Sequence, residues 1–118
     1  GNSPIQFKNI KNLGCLTSQQ LAKEMNKSHL YITASENDPC SNSLLEAMAC
    51  NLPAVVRKSG GHEEILQQAG SFFEDDDDVI KSIEEVASNI ESFKEKIVVT
   101  TIDQIGDEYL SFFRKVLA

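Results

Sequence analysis

Short apolar runs alternate along the chain with stretches in which apolar residues recur every three or four positions. That alternation predicts parallel strands joined by helical crossovers. Ile5 to Leu13 reads as a weak strand region closed by Gly14. Thr17-Ser18-Gln19-Gln20 fits a capping box and opens a helix with Leu21 and Met25 on its inner face. Leu30-Tyr31-Ile32-Thr33-Ala34 is a compact strand of β-branched and aromatic residues, followed by a turn-rich loop, residues 35–42, broken by Pro39.

A helix is expected over residues 43–50, ending where Asn51 suits a left-handed cap and Pro53 cannot continue it. Ala54-Val55-Val56 reads as a strand buried on both faces, and Gly60-Gly61 turns the chain into a short helix over residues 62–68. Ser71-Phe72-Phe73 is a further short strand. Residues 75–78 lead into a helix reaching about Ile90, with Val79, Ile80, Ile83, Val86, Ala87 and Ile90 on one stripe. Thr101-Ile102-Asp103-Gln104 is again box-like. The stripe after it, Ile102, Ile105, Tyr109, Phe112, Phe113 and Val116, should pack on the sheet or cover a neighbouring domain. The expected fold is α/β: a partial Rossmann-like parallel sheet of about four strands with helices on both faces.

With 118 residues the chain makes one domain, residues 5–118, and residues 1–4 read as a cloning remnant. No apolar run approaches the roughly 20 residues that span a bilayer, and no secretory signal opens the chain. The net charge of −7 argues against a nucleic-acid groove or an anionic membrane surface, both of which call for Lys and Arg. Cys15, Cys40 and Cys50 follow no metal-ligand spacing, and free thiols in a reducing cytoplasm account for them.

The chemistry gathers in residues 35–53, directly after a strand and at the opening of a helix. Ligands of open α/β sheets bind at the carboxyl ends of strands, where helix N-termini present free N–H groups to anions. Amides near Ser41, Asn42 and Ser43 could hold a diphosphate, and Glu46 could accept hydrogen bonds from vicinal ribose hydroxyls. A plainer reading stands beside this: Ser43-Leu44-Leu45-Glu46 is itself a capping box, in which Glu46 merely bonds the Ser43 backbone. Asp38-Pro39 also reads as an ordinary turn. His29 and His62 are isolated and suit surface or cap roles rather than a metal site. The acid run 74–78 complements a helix dipole, and Cys40 is a passive small residue unless a helix N-terminus activates it.

Asp38 through Pro53, followed by Val55-Val56 and Gly60-Gly61-His62-Glu63-Glu64-Ile65, resembles the donor-site signature of family-four retaining GT-B glycosyltransferases. That signature has an acid, seven residues, then a Glu on a helix continuing Ala-(Met/Leu)-Ala-Cys-Gly-x-Pro; Asp38 and Glu46 have this spacing. The resemblance covers most of residues 8–90. It implies the C-terminal, nucleotide-sugar-binding domain of a hexosyltransferase that keeps the anomeric configuration. By the same resemblance Asp38 contacts the donor hexose, Glu46 the ribose, and the backbone over Cys40, Ser41, Asn42 and Ser43 the diphosphate. Gly60, Gly61 and Glu64 flank the same pocket. Asp38 and Glu46 then count as the catalytic residues, with a UDP- or GDP-hexose as donor and a glycan, lipid or other acceptor. No metal and no cofactor is expected.

Four departures stand out. Asp38 replaces the usual Glu and shortens the reach to the sugar. Cys40-Ser41-Asn42 replaces a Phe-Gly-x core, Asn51 replaces Gly, and Glu63 stands where the family has Pro. The family's diphosphate-neutralising Arg and Lys, and its N-terminal acceptor domain, have no counterpart here, since neither Arg57 nor Lys58 matches their place. The chain alone is therefore expected to be inactive. The longer protein is expected in the cytoplasm, in a setting compatible with the inner face of a membrane. Two alternatives belong to other classes. A flavodoxin- or receiver-like regulatory domain would need an acidic cluster after its first strand and a late Lys, and neither arrangement is found. A nucleotide-binding or interaction module without activity would be told apart by testing the full-length product for sugar transfer.

Overall fold

Ala54, Val55 and Val56 have no accessible surface, and the rest of the fold is arranged around them. The computed structural model describes residues 4–118, so most of the remnant expected at residues 1–4 lies outside the described residues. Three parallel strands form one sheet in the order β1 (Tyr31–Thr33), β2 (Ala54–Arg57), β3 (Gly70–Phe73). Ile32 is in register with Val55, and Val55 with Ser71. The central strand needs apolar side chains pointing both ways, which is why it reads as a continuous run rather than an alternation.

Each face has its own helices. On one, Ala54 and Val56 pack with Leu44 and Met48 of α2 (Asn42–Ala49) and Leu66 of α3 (His62–Leu66). On the other, Val55 and Phe73 pack with Val86 of α4 (Val79–Ser88), flanked by Phe93 of α5 (Ile90–Lys94). The preceding helix α1 (Ser18–Met25) adds Met25 to Ala47 and Leu52 beside α2. This is the α/β arrangement with helices on both faces, and it sets the connections after β1 and β2 at the same, carboxyl edge of the sheet.

Three expectations need correction. Residues 5–13 form no strand, so the described residues carry three strands rather than about four. A strand exists through its pairing in a sheet, and among the described residues the sheet comprises only β1, β2 and β3. The helix expected to reach about Ile90 is divided there: α4 ends at Ser88, and α5 begins at Ile90 after a break at Asn89. The last helix, α6 (Ile102–Leu117), has the expected stripe, but it does not lie on the sheet: Ile102, Tyr109, Phe112, Phe113 and Val116 are all exposed. Among the described residues no helix is long and apolar enough to cross a membrane.

Candidate functional site

The connection after β1 is fastened, residue by residue, to the connection after β2. Ser35 Oγ lies 3.4 Å from His62 Nε2, and Glu36 Oε1 lies 3.5 Å from Arg57 Nε. The Asn37 amide donates to Ser59 Oγ at 2.9 Å, and the Gly61 amide donates to the Asp38 carbonyl at 2.9 Å. Asn37 and Gly60 both have positive φ, 56° and 57°. Asn tolerates that region and Gly enters it freely, so both turns suit their sequence. A β-carbon on Gly61 would lie 2.3 Å from the Pro39 carbonyl oxygen, so the two backbones touch with no room for a side chain.

Asp38, half-buried, closes its own turn by accepting the Cys40 amide on Oδ1 at 3.1 Å. The helix then starts at Asn42, one residue earlier than its sequence suggests. Ser41 is the N-cap of α2, and its side chain caps nothing. Its hydroxyl turns instead toward Ser43 Oγ at 3.3 Å, which also meets Tyr31 Oη at 2.7 Å. The capping box read over Ser43 to Glu46 does not form, because Ser43 already lies inside the helix. Glu46 is exposed, and among the described residues its carboxylate has no hydrogen-bond partner.

Helices α1 and α6 contrast with this. Thr17 and Thr101 each form the complete reciprocal box with the Gln three residues on. Those helices satisfy their first amides themselves. At α2 the amides of Asn42 and Ser43, both exposed residues, find no partner among the described residues. Ser41 is enclosed, while Cys40 is exposed beside it.

The residues singled out from the sequence thus fall into two neighbouring groups. Asp38, Cys40 to Ser43, Gly60 and Gly61 meet at the carboxyl edge of the sheet. Glu46 and Glu64, one helical turn further on, share the wall of an open cavity of about 540 Å³ with Leu45, Ala49 and Ile65. Asp38 does not line that cavity. A larger concavity, about 720 Å³ and lined between Ile5 and Leu21, contains none of these residues.

Nearby cations are already engaged. Arg57 pairs with Asp76 at 3.0 Å, donates to the Glu74 carbonyl at 2.8 Å and lies over the Phe73 ring, although its Nε makes no hydrogen bond. Lys58 sits 3.5 Å from both Glu63 and Glu74, and the pull of Glu63, then of Glu74, holds its pKa above the usual lysine value. Asp76 therefore serves as a partner of Arg57. Among the described residues no three of His, Cys, Asp and Glu converge as metal ligands would.

His62 is the residue the sequence reading misplaced. It is fully buried, with Nδ1 2.7 Å from the Arg57 carbonyl oxygen, rather than a surface or cap histidine. A single His after a Gly-Gly turn carries no periodicity from which burial could be read.

Set against known proteins, residues 3–89 match the family described as glycosyl transferases group 1. No curated protein matches the chain as a relative.

Proposed function

Because the chain belongs to the glycosyl transferases group 1 family, we propose that it supplies the donor side of a sugar transfer, binding a UDP- or GDP-hexose. The supporting observation is the start of α2, where the exposed amides of Asn42 and Ser43 are unclaimed beside a backbone fastened in place. Unsatisfied N–H groups at a helix N-terminus, with the positive end of the dipole behind them, attract a diphosphate. Asp38, whose second carboxylate oxygen makes no hydrogen bond among the described residues, would meet the hexose. Glu46, free of the cap, would take the two ribose hydroxyls, and Glu64 would stand on the wall beside it.

In this reading the transfer retains the anomeric configuration and uses no metal. It takes place in a longer GT-B enzyme of the cytoplasm, whose other domain holds a glycan or lipid acceptor. By itself the chain binds donor without transferring sugar, since positioning both reactants is a large part of catalysis.

A two-dimensional NMR titration with UDP or GDP tests the proposal. Local amides attract the dianion while the net charge of −7 repels it, and salt screens that repulsion over roughly 8–10 Å. Binding near millimolar, about −4 kcal/mol, is expected, with shifts from Asp38 to Glu46 and from Gly60 to Glu64. Shifts confined to residues 74–78 or to α6 would remove the assignment.

A further inference from the structure

His62 is a fully buried, polar, titratable side chain to which the donor-site reading gives no task. Burying an imidazole costs free energy unless its nitrogens are bonded, so a leucine would fill the same space more cheaply. The bonds it makes have a definite direction. The Arg57 carbonyl can only accept, so at 2.7 Å the hydrogen sits on His62 Nδ1. In the neutral ring Nε2 is then bare, and Ser35 Oγ, 3.4 Å away, must donate to it. Ser35 Oγ in turn accepts from Thr33 Oγ1 at 3.2 Å, and the Ser35 amide donates back to Thr33 Oγ1 at 3.3 Å. One oriented chain of hydrogen bonds thus runs from the end of β1 to the end of β2. Its short link is at Arg57, and its long, yielding link is at Ser35.

Ser35 is the first residue of the stretch that leads to Asp38 and the start of α2. We propose that His62 is a positioning residue for the donor site: it sets residues 35–41 against the Gly60-Gly61 turn and acts on the ligand only through Ser35. The inference rests on the reading of Asp38 to Glu46 as a donor site. It adds a residue that touches no ligand in that reading.

Two variants separate the two ends of the link. Ser35→Ala removes the far bond at an exposed position. His62→Asn keeps an N–H near Nδ1 for the Arg57 carbonyl but has nothing at Nε2. The whole chain, labelled with ¹⁵N, is titrated with UDP. The wild-type imidazole should show the Nδ1–H tautomer. Both variants should move the amides of residues 35–40 and weaken UDP binding by about threefold to tenfold, the loss of one hydrogen bond. Ser35→Ala should melt with the wild type, which a purely structural role of the link would not allow. If wild-type Asp38 to Ser43 amides ignore UDP, the donor-site reading falls and takes this one with it. If the wild type binds and both variants bind equally well, or the ring carries its hydrogen on Nε2, only the role of His62 is overturned.

Discussion

A β-carbon on Gly60 would lie 2.3 Å from the carbonyl oxygen of Asp38 and 2.8 Å from its amide nitrogen. The second turn of the site is thus folded directly onto the backbone of the first. A side chain at Gly60 would meet rigid main chain, not a neighbour that could swing aside.

Gly60→Ala should therefore cost more than about 2 kcal/mol, combining left-handed strain with displacement of the Asp38 backbone. Gly106→Ala is the control. Gly106 lies inside α6 with nothing within 4 Å of an added β-carbon, so alanine there should stabilise by roughly 0.5–1 kcal/mol. Urea denaturation of the two variants should give opposite signs. Equal, small effects would contradict the backbone contact.

Glu46→Gln should leave the melting temperature nearly unchanged, because Ser41, not Ser43, is the N-cap and Glu46 has no partner to lose among the described residues. Donor affinity in the longer protein should fall by about 1.5–3 kcal/mol, the range for hydrogen bonds to a charged group. Calorimetric titration and a thermal melt on the same sample decide between the two roles. A large melting loss with affinity intact would restore the capping role.

Thr17→Ala should destabilise the chain by about 1 kcal/mol, the usual worth of a formed N-cap. Ser41→Ala removes no cap bond, so its effect should come only from the lost contact with Ser43. Comparing denaturation midpoints of the two tests whether the start of α2 is truly unoccupied by its own side chains.

Lys58 gives a pH prediction. Its pKa is raised above the ordinary 10.5 by Glu63 and Glu74, so its contribution to stability is complete below 10.5. That contribution is lost as pH rises through the elevated value. Lys58→Met should therefore be compared with wild type at pH 8 and again above pH 11. The difference in melting temperature, small because the pair is exposed and screened by salt, should shrink at the higher pH.

Much of this was legible from residue order, and the reasons are local. Both complete capping boxes form where Thr17 and Thr101 announce them, because the motif needs only four consecutive residues. Asn51 takes its positive φ, 61°, and Ala54 to Val56 is the buried strand its composition foretells. Failures arose where the answer depends on distant partners. Ile5 to Leu13 has strand composition, yet among the described residues it joins no sheet. Ser43 to Glu46 spells a capping box, yet Ser43 Oγ is drawn to Tyr31 and the helix begins before it. The burial of His62 follows from Arg57 and Ser35, neither of which its neighbours in sequence reveal. In the candidate site, the loop-to-helix segment 38–46 after β1 was readable, but the division of its residues into a sheet-edge group and a cavity group was not.

The four-point fastening of residues 35–38 onto residues 57–62 has a consequence for how this region can vary. Neither segment can drift alone: a longer side chain at 60 requires a retreat at 38, and the loss of a hydroxyl at 59 leaves the 37 amide open. The two stretches should therefore be inherited as a single unit. Descendants of this sequence should show paired replacements between them, while the exposed face of α6 changes freely position by position.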